Sequence, residues 1–204
     1  MPKIVDRQLM QDTILDAAMR TFARKGYHAA TIGDVALEAG LGKGTIYLYF
    51  KSKEAMTEAM ADRHFAALSE RWMDDGECAS LDDFLEMVRS LADIPAEHAQ
   101  FIPVFFEIFG PSFASPAFAA RVESFFDRLG RHFAARIARL QDKGEIGPHH
   151  DPASLGRALA SMLDGLILHR GLFAISAKRH RAMITEILRL FEGGLRPRQS
   201  EANL

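Results

Sequence analysis

The chain has 204 residues, of which 48% are hydrophobic and 25% are charged, and its formal net charge at pH 7 is −2. This size and composition predict a globular protein of one or two domains with a substantial core. The chain contains no run of about 18 apolar residues that could span a membrane, and its charged N-terminus and single cysteine, Cys78, predict a cytoplasmic location.

Charge is distributed unevenly along the chain. The first 53 residues contain eight Lys and Arg against five Asp and Glu, whereas the remainder contains 17 against 22. A basic N-terminal part on an acidic body is expected if only that part binds a polyanion. An excess of this size also arises by chance, so charge alone does not decide between a DNA-binding protein and one that binds no DNA.

Apolar residues recur at helical spacing along nearly the whole chain, without a convincing series of strands. Glycines, prolines and capping residues mark the ends of about nine helices, which predicts an all-α fold. The predicted helices cover residues 7–25, 31–38, 42–49, 53–74, 81–92, 95–109, 116–143, 153–175 and 178–192.

Three glycines alternate in the segment GLGKGTIYLYF, residues 40–50. A nucleotide-binding P-loop follows a strand and has Ser or Thr after Gly-Lys, whereas here Gly44 follows Lys43 and the preceding TIGDVALEA has a helical pattern. The dinucleotide-binding fingerprint also fails, because its last glycine would fall at Thr45 or Tyr47. Both kinds of nucleotide loop are therefore excluded.

The same segment is typical of a helix-turn-helix, in which Gly40 takes the positive φ of the turn between two short helices. The small core between these helices would consist of Val35, Leu41 and Ile46. The second helix would fit the major groove of DNA, with Gly42 and Gly44 allowing its start to approach the phosphates. The side chains that it would present are those of Lys43, Thr45, Tyr47 and Tyr49.

Two other classes of protein compete with this interpretation. A helical small-molecule-binding module without sequence-specific DNA binding can have the same shape, with the two tyrosines half-buried. An enzyme would need a nucleophile motif or a pair of acids, and neither is evident. The sequence His149-His150-Asp151 lies between glycine and prolines, which favours a solvated loop over a metal site. We therefore expect no enzyme activity, metal or cofactor.

The segment FARKGYHAATIGDVALEAGLGKGTIYLYFKSKEAM resembles the DNA-binding domain of the tetracycline-repressor (TetR) family over about residues 10–60. The resemblance implies a transcriptional regulator, expected to be a repressor, that binds a palindromic double-stranded DNA operator as a homodimer. It implies a three-helix helix-turn-helix domain over residues 1–53, an effector-binding and dimerisation domain over 54–195 and a polar tail over 196–204.

Carried over by position, the resemblance implies DNA contacts by seven residues of the N-terminal domain. Thr31 would cap the second helix and touch a phosphate, and Lys53 would neutralise a phosphate at the start of the fourth helix. Lys43, Gly44 and Thr45 would enter the groove. Tyr47 and Tyr49 would contact the DNA backbone or base methyl groups. Serine is common in the family where this chain has Gly42, so one hydroxyl contact is missing.

The segment GEIGPHHDPASLGRALASMLDGLILHR resembles the family's approach to its eighth helix. The resemblance implies that the last two helices pair with those of a second subunit in a four-helix bundle. Packing within a single chain is the alternative for the same residues. The interface residues that we expect are Leu155, Ala158, Leu159, Ser161, Met162, Gly165, Leu166 and Leu172.

Eight of the fifteen phenylalanines lie between residues 101 and 126. Aromatic residues on more than one side of a helix indicate either ordinary burial or a lined apolar pocket, and the family resemblance favours the pocket. We expect a hydrophobic or aromatic effector there, with His98 or Glu107 as a polar anchor. The other expected lining residues are Trp72, Met73, Phe101, Phe105, Phe109, Phe126 and Leu129.

Overall fold

The computed structural model describes residues 7–73, 76, 78–99 and 101–197, without the side chains of Glu97, His98, Phe101 and Pro111. Within this part of the chain every regular element is helical, which confirms the all-α prediction. The α-helices are α1 (Arg7–Lys25), α2 (Ile32–Ala39), α3 (Lys43–Tyr49), α4 (Lys53–Trp72), α5 (Leu81–Ala92), α6 (Ala96–Ala99), α7 (Phe101–Phe109), α8 (Pro116–Asp142), α9 (Pro152–Leu172) and α10 (Ala177–Leu195).

The observed helices follow the predicted ones closely. The region predicted as one helix over 95–109 comprises α6 and α7, and Gln100 between them lies outside the described residues. A 3-10 helix, Gly110–Ala114, follows α7. Of the predicted polar tail, Arg196 forms ion pairs with Asp82 and Glu192, whereas residues 198–204 lie outside the described part. None of the described helices is both long and apolar enough to cross a membrane.

The chain divides into two compact units. The first unit runs up to Ala67 and also includes Val104–Ala119, and the second consists of Leu68–Pro103 and the chain from Ala120 onward. The predicted boundary after residue 53 therefore differs from this division, in which a later segment packs with the N-terminal helices. That segment contains most of α7, where Phe105 packs beside His64 and Phe65 of α4.

The core of the first unit forms where α1 turns its apolar side inward. Ile14, Ala18 and Phe22 on α1 are buried, as their helical spacing predicts. The helix ends at Gly26, whose φ of 80° is in the left-handed region that favours glycine. The Phe22 ring then packs edge-on against Tyr27, at 5.3 Å between centroids.

The second unit is held together by α5, α8, α9 and α10. Phe84 on α5 packs against Phe133 on α8, at 6.4 Å between ring centroids. A Cβ atom built on Gly156 of α9 would lie only 2.3 Å from the backbone oxygen of Gly130 on α8, so glycine allows these helices to cross closely. On α10, the buried His180 is joined through Nε2 to the backbone oxygen of Ala92 at 2.9 Å.

Candidate nucleic-acid interface

Helix α2 begins in a capping box, as predicted at Thr31. The Thr31 hydroxyl accepts a hydrogen bond from the backbone N–H of Asp34 at 3.2 Å. The Asp34 carboxylate in turn accepts bonds from the backbone N–H and the hydroxyl of Thr31, at 2.9 and 2.8 Å. Both donors of Thr31 are thus used inside the cap. A phosphate contact by Thr31 would have to replace the Asp34 carboxylate.

Ion pairs attach α2 to α1. Arg20 and Arg24 each donate to the Glu38 carboxylate at 2.9 Å, and Lys25 donates to Asp34 at 2.5 Å. The hydrogen bonds from Arg20 and Arg24 lower the pKa of Glu38, and those from Lys25 and Thr31 hold the pKa of Asp34 well below its usual range. Since these groups are exposed, each pair adds little stability, but together they orient α2.

The turn after α2 has the geometry that its glycine predicts. Gly40 has a φ of 67° and a ψ of 28°, in the left-handed region, and its N–H caps the carbonyls at the end of α2. Helix α3 then starts after Gly42, which supplies no side-chain cap. Val35 and Ile46 are buried where the helices meet, while Leu41 is only half-buried. These contacts form a helix-turn-helix with α3 as its second helix.

The residues predicted to face DNA differ in exposure. Lys43 and Gly44 are exposed and Tyr47 is 48% exposed, whereas Thr45 and Tyr49 are half-buried. The Lys43 ammonium lies 6.0 Å from the centre of the Tyr47 ring. Sequence reasoning missed a more exposed residue of α3, a leucine at position 48 that is 76% exposed. Its place opposite Ile46 on the helix was the signal that could have revealed it.

Lys53 has acceptors within its own chain. Its ammonium donates to the backbone oxygens of Tyr27 and Ala30, at 2.8 and 3.1 Å. It also lies 4.3 Å from the centre of the Tyr27 ring, within the range of a cation–π contact. Two of the three ammonium protons are therefore used to support the turn between α1 and α2, and one is left for a phosphate.

Glu107 connects α7 to the same turn. Its carboxylate Oε1 accepts a hydrogen bond from the backbone N–H of Tyr27 at 2.9 Å. A Cβ atom built on Gly26 would lie 2.9 Å from that oxygen, so the absence of a side chain at Gly26 leaves room for the carboxylate. Glu107, expected as a polar anchor for an effector, is thus a partner of the helix-turn-helix.

The expected pocket residues fall in both compact units. In the second unit, Trp72 and Leu129 are buried, Met73 and Phe126 are half-buried, and Trp72 lies 6.0 Å from the ring of Phe125. In the first unit, Phe105 lies 4.6 Å from the ring of Phe109. The side chains of His98 and Phe101 lie outside the described part. The pocket stays a prediction.

The expected dimer residues of α9 divide between two faces of the helix. Leu159 and Leu166 are buried within their own chain, so they hold α9 to its own subunit and offer no area to a second one. The structure thus corrects the prediction at these two positions. The residues left for an interface are the exposed Ala158, Ser161 and Leu172 and the half-buried Leu155, Met162 and Gly165.

A capped α2, a left-handed glycine turn and a short α3 with an exposed outer face define a helix-turn-helix, the motif with which many regulators bind DNA. Residues 14–60 match the family model described as bacterial regulatory proteins, tetR family, and residues 81–197 match the C-terminal model of BetI-type transcriptional repressors. The chain belongs to the TetR family. The predicted DNA-binding regulator is confirmed, and an enzyme is excluded because the family's members are regulators.

Two relatives match over most of their length. The HTH-type transcriptional regulator YfiR of Bacillus subtilis is 30% identical over 162 residues, which cover 77% of this chain and 78% of YfiR. The transcriptional repressor AcnR of Corynebacterium glutamicum is 28% identical over 185 residues, covering 91% and 92%.

Among solved structures, a transcriptional regulator from Saccharomonospora viridis in complex with choline has a similar fold. It matches with a TM-score of 0.71 and 22% identity, over 88% of this chain and 95% of that one. TetR-family regulators bind DNA operators and small-molecule effectors and function as dimers.

Proposed function

We propose that this protein is a homodimeric repressor that binds a palindromic operator and releases it when a small hydrophobic or aromatic effector binds. The observation that carries the proposal is the outer face of α3, which the buried Ile46 and the left-handed turn at Gly40 direct away from the core. Lys43 and Tyr47 on this face can contact phosphates and base edges in the major groove. Two copies related by a two-fold axis would read two half-sites.

An unused face of α9 supports the dimer. Ala158, Ser161 and Gly165 recur at spacings of three and four, and a Cβ atom built on Gly165 would meet no atom within 4 Å. Nothing described in the same chain fills the space beside Gly165, in contrast to Gly156. Small residues let two helices approach closely, and Leu172 and the exposed Leu190 of α10 add apolar area.

The dimer can be tested by introducing a charge at this face. Ala158→Arg should convert the dimer into a monomer in analytical ultracentrifugation, because it would bury an unpaired guanidinium at the interface. The matched control is Ala135→Arg, which introduces the same charge at an exposed alanine of α8, outside the proposed interface. A dimer that persists in both variants would contradict this interface.

The environment of Trp72 supports the effector class. The indole ring is buried next to Phe125, and its Nε1 has no hydrogen-bond partner among the described residues. Leaving a buried donor unpaired costs about 1–3 kcal/mol, so a ligand acceptor at this position would be favoured. We therefore propose an effector with an apolar or aromatic body and at least one oxygen acceptor.

Release of DNA requires that the effector binds one conformation of the repressor more tightly than another. An effector that prefers a state with α4 displaced would separate the two α3 helices in the dimer and weaken operator binding. Coupling of this kind is typically about 1–3 kcal/mol, which corresponds to roughly 5- to 150-fold in affinity.

Trp72 is the only tryptophan, so its fluorescence reports on the proposed site without interference. We expect members of a panel of lipophilic and aromatic compounds to quench it and to weaken binding to the chain's own upstream DNA in a mobility-shift assay. Choline is added as a polar comparison compound, since the Saccharomonospora viridis regulator was solved with it and aromatic rings also bind quaternary ammonium groups. A response to choline alone would contradict an effector with an apolar or aromatic body. The effector proposal is lost if no compound changes either signal.

A further inference from the structure

The face of α3 opposite the core is formed by Gly44 and Leu48. Successive residues of an α-helix are rotated by about 100°, so positions two before and two after a residue lie almost opposite to it. Ile46 is fully buried, and it therefore directs Gly44 and Leu48 outward. Leu48 is 76% exposed, compared with 48% for Tyr47.

Because Gly44 has no side chain, the face of α3 formed by Gly44 and Leu48 can approach a bound surface closely. A Cβ atom built on Gly44 would meet nothing within 4 Å, so packing within the described chain does not require glycine there. Glycine within a helix costs about 1 kcal/mol relative to alanine. A bare backbone one turn before Leu48 allows the helix to enter a groove more deeply, with Leu48 at the point of closest approach.

The chemistry of leucine limits what it can recognise there. Its side chain has neither donor nor acceptor, so it cannot read the polar atoms on the base edges. The one apolar group on the major-groove edges of the four bases is the C5-methyl group of thymine. Polar recognition would remain with Lys43 and Tyr47, which lie together on one side of the face formed by Gly44 and Leu48.

We propose that Leu48 is a specificity-determining residue that packs against the C5-methyl group of one thymine in each operator half-site. The inference rests on the proposed function, because it requires that α3 lies in the major groove of a two-fold operator. It adds an apolar contact at the exposed centre of the outer face of α3, where Leu48 is more exposed than Tyr47.

Deoxyuridine tests the contact, because it differs from thymidine only by the missing methyl group. The operator is first selected from a random-sequence duplex library with the full-length protein, and each thymine is then replaced singly by deoxyuridine. We expect about a fourfold loss of affinity at one symmetry-related pair of thymines, which is the effect of one buried methyl group. Replacements at the other thymines should have smaller effects.

Leu48→Ala should bind the unmodified operator more weakly than the wild type and lose its sensitivity to deoxyuridine at that pair. The matched control is Leu37→Ala, since Leu37 is an 83% exposed leucine of α2, outside α3. It should keep the wild-type deoxyuridine pattern. Circular dichroism checks that both variants fold, which is expected because neither leucine is part of the core.

Four results would overturn the inference. The first is a wild-type affinity that no deoxyuridine replacement changes, and the second is an unchanged deoxyuridine pattern in Leu48→Ala. A Leu48→Ala variant that binds DNA normally but changes its sedimentation would assign Leu48 to a protein contact instead. If the library yields no enriched sequence at all, the operator proposal fails, and this inference fails with it.

Discussion

The carboxylate of Glu107 accepts a hydrogen bond from the backbone N–H of Tyr27, 80 positions earlier in the chain, at 2.9 Å. Tyr27 lies in the turn between α1 and α2, which Lys53 also supports through the Tyr27 carbonyl. The amide and the carbonyl of one residue are thus held by side chains from α7 and α4. A displacement of α7 would therefore act directly on the turn that positions α2.

Glu107→Ala should lower the stability of the protein by about 1 kcal/mol, because it removes a charge-assisted, part-buried hydrogen bond from a backbone amide. Glu107→Gln retains an oxygen acceptor and should be destabilised less. Thermal unfolding measures the effect, with Glu123→Ala on α8 as an exposed-carboxylate control. Equal melting temperatures for the wild type and Glu107→Ala would show that the bond contributes nothing.

Lys53→Ala should reduce both stability and DNA affinity. The change removes two hydrogen bonds and a cation–π interaction, at a cost of about 1–3 kcal/mol in the free energy of unfolding. If the remaining proton of Lys53 binds a phosphate, the slope of log affinity against log salt should become shallower by about 0.9 for each phosphate that the variant no longer neutralises.

Lys51→Ala, at an exposed neighbouring lysine, is the control for Lys53→Ala. It should leave the melting temperature unchanged, because Lys51 is not part of the turn between α1 and α2. A melting temperature that falls in Lys53→Ala with an unchanged salt slope would assign Lys53 a purely structural role.

Gly156 and Gly165 of α9 should respond in opposite ways to alanine. Gly156→Ala places a methyl group 2.3 Å from the Gly130 oxygen and should destabilise the protein by about 1–3 kcal/mol. Gly165→Ala meets no atom of its own chain, so the gain in helix propensity should leave the single subunit as stable or more stable.

Denaturant unfolding at several protein concentrations separates these effects. In the proposed dimer, Gly165→Ala should weaken subunit association, so a higher protein concentration is needed before dimer formation raises the unfolding midpoint. Gly156→Ala should lower the midpoint at every concentration. A Gly156→Ala protein as stable as the wild type would mean that α8 and α9 do not cross as closely as described.

The stability of the helix-turn-helix should fall at acid pH because of Asp34. Hydrogen bonds from Lys25 and Thr31 lower the pKa of Asp34 in the folded state, so its contribution is present above the ordinary pKa of an aspartate, near 4. The contribution is lost as the pH falls through the lowered pKa of the folded state.

Thermal unfolding followed by circular dichroism between pH 7 and pH 2 checks this sign. Asp34→Asn should lower the melting temperature at pH 7 and show a weaker dependence on pH than the wild type. Glu58→Gln, an exposed change on α4, should keep the wild-type dependence. An unchanged pH dependence in Asp34→Asn would contradict the assignment.

Much of the N-terminal domain was predictable because its signals are local. Thr31 followed three residues later by an acid predicts a capping box, and Gly40 after a helical pattern predicts a left-handed turn. Both features depend on φ and ψ angles and hydrogen bonds over a few residues. The side chains of the interface were harder to predict, because periodicity marks a buried position such as Ile46 without ranking the exposed ones.

The sequence alone therefore determined the all-α fold, the cap and glycine turn of α2 and the family, since these follow from residue periodicity, capping and motif spacing. Only the tertiary structure decided which apolar residues of α9 belong to its own core, because Leu159 is buried while the adjacent Ala158 is exposed and both were expected at the interface. It also decided the role of Glu107, whose partner is far along the chain. Contacts of this kind depend on how helices pack, which no local pattern encodes.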